Sequence, residues 1–325
     1  MTRMTYLDAI SSAIREEMRQ NLRVFVMGHD IQTWLFNGSW RPEFDTDRVR
    51  NTPISESGFI GAGIGAALTG MRPIIELGCS TFLYSAMDQV VNQAAKMRYM
   101  FGGQASVPLL IRAPVLYNIS VAAHHSDRPW GLFAQAPGLK IIVPTTPYDA
   151  KGLITSALRD SNPILCFEDA TLVESSGEVP EGTYTIPIGL ADLKRNGSDI
   201  TLVALAGSVL QCLTASSVLE SVGISAEVID LRTVVPLDKE TILKSIAKTG
   251  HLIVVDPAPG MCSVASEVAA LVAEHAFEHL RAPIVRLTAP DLPVPFSQRL
   301  ERLLYPTAEK IVIAARRQLG RRPPE

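Results

Sequence analysis

Hydrophobic positions in the first twenty residues recur at the spacing of one helical face, at Leu7, Ile10, Ile14 and Met18, behind a Thr5 and Asp8 pair that has the form of a helix cap. A short apolar run at 24–27 predicts a strand, residues 58–70 a helix rich in small side chains, and 73–77 another strand. Phe82, Ala86, Val90 and Ala94 then repeat every fourth residue, predicting one long amphipathic helix that ends near Met100, before Gly102 and Gly103. Residues 107–112, 141–143 and 164–167 are unbroken apolar runs of strand length, as expected of strands covered on both faces. Pro147 opens a helix over 148–159. This alternation predicts an α/β fold, a doubly wound and mostly parallel sheet with helices on both sides.

The periodicity fails between Ala170 and Ser198, where Ser175, Ser176, Gly177, Pro180, Gly182, Pro187, Asn196 and Gly197 punctuate the chain. A second series follows, with strands near 200–205, 226–231, 252–255 and 284–287 and helices near 209–221, 239–248, 264–279 and 307–318. The pattern therefore predicts a first domain over 1–180, a connection over 181–197 and a smaller α/β domain over 198–325.

A length of 325 residues suits two such domains, and 47% hydrophobic against 19% charged residues excludes a disordered or collagen-like chain. The net charge is -3, too balanced for a nucleic-acid counter-surface. No apolar run reaches the roughly 18 residues of a membrane span, and the first ten residues lack the form of a signal peptide. Cys79, Cys166, Cys212 and Cys262 are too far apart for a CxxC site and are expected as buried free thiols. These features together predict a cytoplasmic protein without nucleic-acid or membrane partners.

Three chemical-looking signals read better as structure. Gly61, Gly63 and Ala66 fit a loose G-x-G-x-x-A count, but the polar stretch before them, with Pro53, is no strand, so close helix packing is the better reading. His275, Glu278 and His279 spell H-x-x-E-H without a convincing third zinc ligand. Arg316, Arg317, Arg321 and Arg322 read as a solvated helix end.

The strings NTPISESG, FIGAGIGAALTGMRPIIEL, STFLYSAMDQVVNQAAKMRYMFGGQASVPLLIR, AAHHSDRPWGLFAQAPGLKIIVPTTPYDAKGL and SALRDSNPILCFED occur in that order. Together they resemble the beta subunit of the thiamine diphosphate-dependent first component of 2-oxo acid dehydrogenase complexes, of the pyruvate and acetoin dehydrogenase type in the transketolase-like group. The likeness runs from about residue 4 to 317. It implies a pyrimidine-binding first domain and a transketolase C-terminal-like second domain used mainly in assembly.

Carried over residue by residue, the resemblance makes Glu56 the carboxyl that activates the coenzyme through its pyrimidine nitrogen. Such an acid holds its proton only in a desolvated site, whereas a helix N-terminal glutamate would be stabilised as the anion. Phe82 falls where the family stacks an aromatic on the aminopyrimidine, Ile54 beside the same ring, and Ser85 where Gln often contacts the cofactor. His125 matches the active-site histidine. His124 replaces a common Gln, Ser80 a common aromatic, and His29 an acidic residue. Asp127, Arg128, Pro129 and Trp130 replace a more neutral stretch. A more polar pocket formed by His124 and Ser80 would suit a hydroxylated substrate.

Backbone carbonyls around Leu109, Ala157, Asp160 and Asn162 match a loop that binds potassium in the family, hard-cation chemistry suited to oxygen ligands. The family's diphosphate and Mg²⁺ motif, G-D-G with a later N-N, does not occur in this chain, which implies that an alpha subunit holds Mg²⁺ in an α2β2 heterotetramer. The expected activity is decarboxylation of a pyruvate-like 2-oxo acid with acyl transfer to a lipoyl arm on an acyltransferase. The alternative is transfer of a two-carbon hydroxyacyl unit from a ketose to a lipoyl or acyl carrier protein thiol. A reading from another class is a silent assembly subunit.

Overall fold

A computed structural model of the chain describes residues 1–31 and 43–321; the end of the charged tail, with Arg322, lies outside the described residues. The first helix, Tyr6–Gln20, starts as its cap dictates. The Asp8 N–H donates to Thr5 Oγ1 at 3.1 Å, and the Thr5 hydroxyl donates to the Asp8 carboxylate at 2.7 Å. Ile10, Ile14 and Met18 are buried, while Leu7 sits at the rim.

Among the described residues the first sheet has seven strands, ordered Thr233–Val235, Lys140–Ile142, Ile164–Asp169, Leu110–Val115, Arg72–Glu76, Val24–Gly28 and Val49–Asn51. All neighbours are parallel except the first pair. The second sheet has five, ordered Val285–Ala289, Leu252–Pro259, Ile200–Ala204, Ala226–Asp230 and Asp192–Arg195, again parallel except for its last pair. Helices cover the strands, and one apolar core runs through both sheets, from Phe25 and Ile111 to Val203 and Val254. This is the two-part α/β architecture expected.

The antiparallel edge strands depart from the sequence reading. Asp192–Arg195 lies within the stretch read as connection yet closes the second sheet. Thr233–Val235, read as second domain, returns to pair with Lys140–Ile142 of the first sheet. Edge strands of three or four residues carry too little apolar period to register in the pattern.

The predicted long helix near Met100 is also corrected. Ser80–Ala86 is a 3₁₀ helix, Asp88–Ala94 a π-helix and Met97–Met100 a short α-helix. An apolar repeat of four residues exceeds the 3.6 of an α-helix, so its stripe would drift off the core. The wider π turn, with Ala95 N–H bonded to the Val90 carbonyl at 3.1 Å, keeps Val90 and Ala94 buried.

Close packing explains the small residues of the Glu56–Leu68 helix, because a Cβ on Gly63 would lie 2.7 Å from Ile75 Cδ1. The H-x-x-E-H string does not form one helical face. Its helix closes at His275, residues 277–279 form a 3₁₀ turn, and no metal-binding group of three or more His, Cys, Asp or Glu occurs among the described residues. Cys262 is exposed rather than buried, in the turn after Leu252–Pro259 at φ 51°. The apolar-run reading missed an ionic cluster. Arg112, fully enclosed at the end of its run, donates to the Glu76 and Glu168 carboxylates on the strands either side.

Candidate active site

Parallel strands deliver their carboxyl ends, and the loops that follow, to one edge of the sheet. His29 follows Val24–Gly28, residues 78–82 follow Arg72–Glu76, and residues 116–126 follow Leu110–Val115. The three loops meet around Phe82. Its half-buried ring lies 5.7 Å from the His29 ring and 5.6 Å, edge-on at 80°, from the His125 ring. The His124 ring lies against that of His125, centroids 4.0 Å apart and tilted by 47°. Gly78 makes room for this cluster, since a Cβ there would lie 3.3 Å from His29 Cε1 and 3.6 Å from Phe82 Cε2.

Glu56 opens the neighbouring helix and is partly buried. Ser85 Oγ donates to the Phe82 carbonyl at 2.9 Å and lies 3.4 Å from Glu56 Oε2. The Ser57 hydroxyl donates to the Ser85 carbonyl at 2.5 Å, tying the start of the Glu56–Leu68 helix to the end of Ser80–Ala86. Ile54 stands 76% exposed beside them, and Ser85 and His124 are exposed as well, so the site is an open flank of the chain. Glu56, Phe82, Ser85, His125 and His124 thus come together, with Ile54 on the rim. Among the described residues, no enclosing apolar pocket of the kind expected forms around Glu56.

Burial, and then the neighbouring His124 imidazole, hold the His125 pKa below the usual histidine range, because both disfavour a second positive charge. The Nδ1 atoms of His125 and His29 are buried without a hydrogen-bond partner among the described residues. Glu56 pairs with no cation among them. A carboxyl free of counter-charge, an aromatic ring and unengaged imidazole nitrogens on one open flank fit a heteroaromatic coenzyme with ring nitrogens.

Ser80 is the exception. It is fully buried, and its hydroxyl donates to the Asp127 carbonyl at 3.1 Å, so it fixes the histidine loop and presents no hydroxyl to a pocket. The argument for a hydroxylated substrate loses that support. Cys79 Sγ likewise contacts the His125 carbonyl at 3.2 Å.

At the expected potassium loop, the Leu109 carbonyl accepts Ile164 N–H at 2.8 Å and the Ala157 carbonyl accepts Asp160 N–H at 3.3 Å. Arg72 donates to the Leu158 and Asp160 carbonyls at 2.9 and 2.8 Å, Lys140 pairs with the Asp160 carboxylate, and Asn162 donates to that carboxylate at 2.8 Å. Two of the chain's own cations already occupy this turn.

Sequence reasoning missed the residues that shape the histidine loop. Asn118, Ser120 and Ala122 all have φ between 61° and 65°, a conformation that costs a non-glycine residue roughly 1–2 kcal/mol. Only Asn118, a residue tolerant of that region, hinted at it.

The transketolase pyrimidine-binding domain model matches residues 2–175, and the transketolase C-terminal domain model matches 189–311. The acetoin:2,6-dichlorophenolindophenol oxidoreductase subunit beta of Bacillus subtilis is 45% identical over 330 residues, covering 96% of each chain. From the same organism, the pyruvate dehydrogenase E1 component subunit beta is 42% identical, covering 98% of this chain and 99% of its own. The 2-oxoisovalerate dehydrogenase subunit beta is also 42% identical, covering 97% and 98%. A solved structure described as a split gene transketolase, inactive beta4 tetramer, superposes with a TM-score of 0.82 at 20% identity, covering 98% of both chains.

Proposed function

The chain belongs to the transketolase-like family that joins a pyrimidine-binding domain to a transketolase C-terminal domain, together with the beta subunits of acetoin, pyruvate and 2-oxoisovalerate dehydrogenases, and on that premise we propose that it is the beta subunit of a 2-oxo acid dehydrogenase first component. In this reading it works with an alpha subunit in an α2β2 assembly, uses thiamine diphosphate, decarboxylates a pyruvate-like 2-oxo acid and passes the acyl group to a lipoyl-bearing acyltransferase. The carrying observation is the joint placement of Glu56, Phe82 and His125 on one open flank.

Thiamine diphosphate, when bound, supplies the electron sink that decarboxylation needs. Glu56 holds a proton at its carboxyl and gives a hydrogen bond to a ring nitrogen. That requires the flank to be covered, because desolvation is what keeps a carboxyl protonated near neutrality. Phe82 and Ile54 provide apolar contact to the same ring. His125, whose pKa its surroundings lower, accepts or returns a proton on the substrate side. Magnesium and the diphosphate belong to the alpha subunit in this scheme. Potassium has no role in this scheme, because Arg72 and Lys140 already fill the Asp160 turn.

Co-expression with an alpha-type subunit and titration with thiamine diphosphate plus Mg²⁺ tests the reading. Saturable binding in the mixture, weak binding by either chain alone, and turnover lost at least a hundredfold in Glu56→Gln with binding of the subunits retained are the expected results. Near wild-type turnover in Glu56→Gln would overturn the assignment. Pyruvate, branched 2-oxo acids, acetoin and ketose phosphates compared as donors identify the substrate, and exclusive turnover of ketose phosphates would replace this reading by the ketose alternative.

A further inference from the structure

Glu301, from the second domain, is fully buried, yet its carboxylate binds backbone of the first domain. Asn118 N–H donates to one oxygen at 2.5 Å, and Ser120 N–H to the other at 2.9 Å. These two amides belong to the loop whose alternate residues 118, 120 and 122 are left-handed and which ends in His124 and His125. A backbone in that region persists only where its surroundings over-determine it. The side chains of Asn118 and Ser120 do not supply the restraint, because Asn118 Oδ1 and Ser120 Oγ have no hydrogen-bond partner among the described residues.

The clamp has a second layer. The Tyr305 hydroxyl donates to Glu301 at 3.3 Å and accepts from Arg128 at 3.3 Å. The buried Arg128 guanidinium lies over both the Tyr117 and Tyr305 rings, 5.5 and 5.0 Å from their centroids, and donates to the Ser126 carbonyl. The Ser126 hydroxyl in turn donates to the Ala122 carbonyl at 2.6 Å. The histidine loop is thus gripped at residues 118 and 120 by Glu301 and at 126 by Arg128, and Tyr305 joins the two grips.

We propose that Glu301 is a positioning residue for His125, so that the second domain sets the active-site histidine as well as serving assembly. The role of His125 itself rests on the function proposed above. A carboxylate is suited to the task because it offers two acceptor oxygens to two converging N–H donors. An amide in its place offers one acceptor and turns a donor toward the other N–H.

The test is amide hydrogen exchange by mass spectrometry on the chain co-purified with its alpha subunit, with turnover measured on the same samples. In Glu301→Gln, peptides spanning 116–126 should exchange at least tenfold faster. Peptides from Ile200–Ala204 and Leu252–Pro259 should be unchanged, and turnover should fall at least tenfold while the KM for thiamine diphosphate stays within twofold. Unchanged loop exchange overturns the proposal. So does faster exchange spread over the whole second domain, or a loosened loop with full turnover. Should Glu301→Gln fail to assemble, Tyr305→Phe decides alone: a two- to fivefold rise in loop exchange supports the clamp, and no change overturns it. His125→Ala separates the two claims, because full turnover there defeats the histidine's assigned role while the exchange result still judges the grip on the loop.

Discussion

Phe82 and His125 meet edge to face, with ring centroids 5.6 Å apart at 80°, although 43 positions separate them along the chain. The ring is half-buried, with the His29 ring 5.7 Å away as well. Removing it should cost the site more than the fold. Phe82→Ala is expected to weaken thiamine diphosphate binding in the assembled enzyme at least tenfold, measured by titration calorimetry, with a small loss in Tm. A loss of about 3 kcal/mol or more, the cost of emptying a core phenylalanine, would mark the ring as structural.

His124 affects the titration of its neighbour. Its imidazole, after burial, depresses the His125 pKa, so the neutral form of His125 survives to lower pH than that of an ordinary histidine. His124→Gln removes one depressing influence and should move the acidic limb of the turnover profile to higher pH. A shift to lower pH would contradict the coupling expected of two imidazoles 4.0 Å apart.

Glu76 and Arg112 make a pH prediction for stability. Burial pushes the Glu76 carboxyl up to about 8, against the opposing pull of Arg112. Its Oε2 has no hydrogen-bond partner among the described residues, a position in which the charged form is costlier than the neutral one. A carboxyl with a raised folded-state pKa binds more protons folded than unfolded, so its contribution is complete below about 4.5 and is lost as pH climbs to about 8. Glu76→Gln, a neutral isostere, should flatten the fall in Tm between pH 5 and 8 and leave the variant more stable than wild type at pH 8. Arg112→Met should do the opposite. It strands two buried carboxyls, with an expected loss of about 3–5 kcal/mol in urea unfolding.

Ser80→Ala should leave the substrate range unchanged, because the hydroxyl is committed to the Asp127 carbonyl. The expected cost is about 1 kcal/mol of stability. A changed preference among 2-oxo acids and ketose phosphates would show that the hydroxyl reaches the substrate.

Lys194 and Asp149 tie the two halves of the chain, 2.6 Å apart, with Arg232 on the same carboxylate. Asp149 is fully buried, and although burial opposes ionisation, Lys194 and Arg232 hold its pKa below the usual carboxylate range. Its stabilising contribution is therefore present above the ordinary carboxylate range and lost as pH falls through the depressed value. Lys194→Met should lower Tm at pH 7 and narrow its gap to wild type in acid, as followed by circular dichroism.

The sequence by itself determined the layered α/β architecture, because buried parallel strands must be continuously apolar and their covering helices must show one apolar face. It also pointed to candidate site residues, through local strings that carry Glu56, Phe82, Ser85 and the His124 and His125 pair. Tertiary structure alone decided which of these meet. Ile54 ended on the rim, and Ser80 was consumed by the Asp127 carbonyl. It also decided the crossing of Thr233–Val235 to the first sheet, the breaks in the helix over 80–100, the buried Arg112 cluster and the grip of Glu301 on residues 118 and 120. The Arg112 cluster and the Glu301 grip depend on polar partners brought from distant segments, and a pairing across 183 positions leaves no period in the sequence.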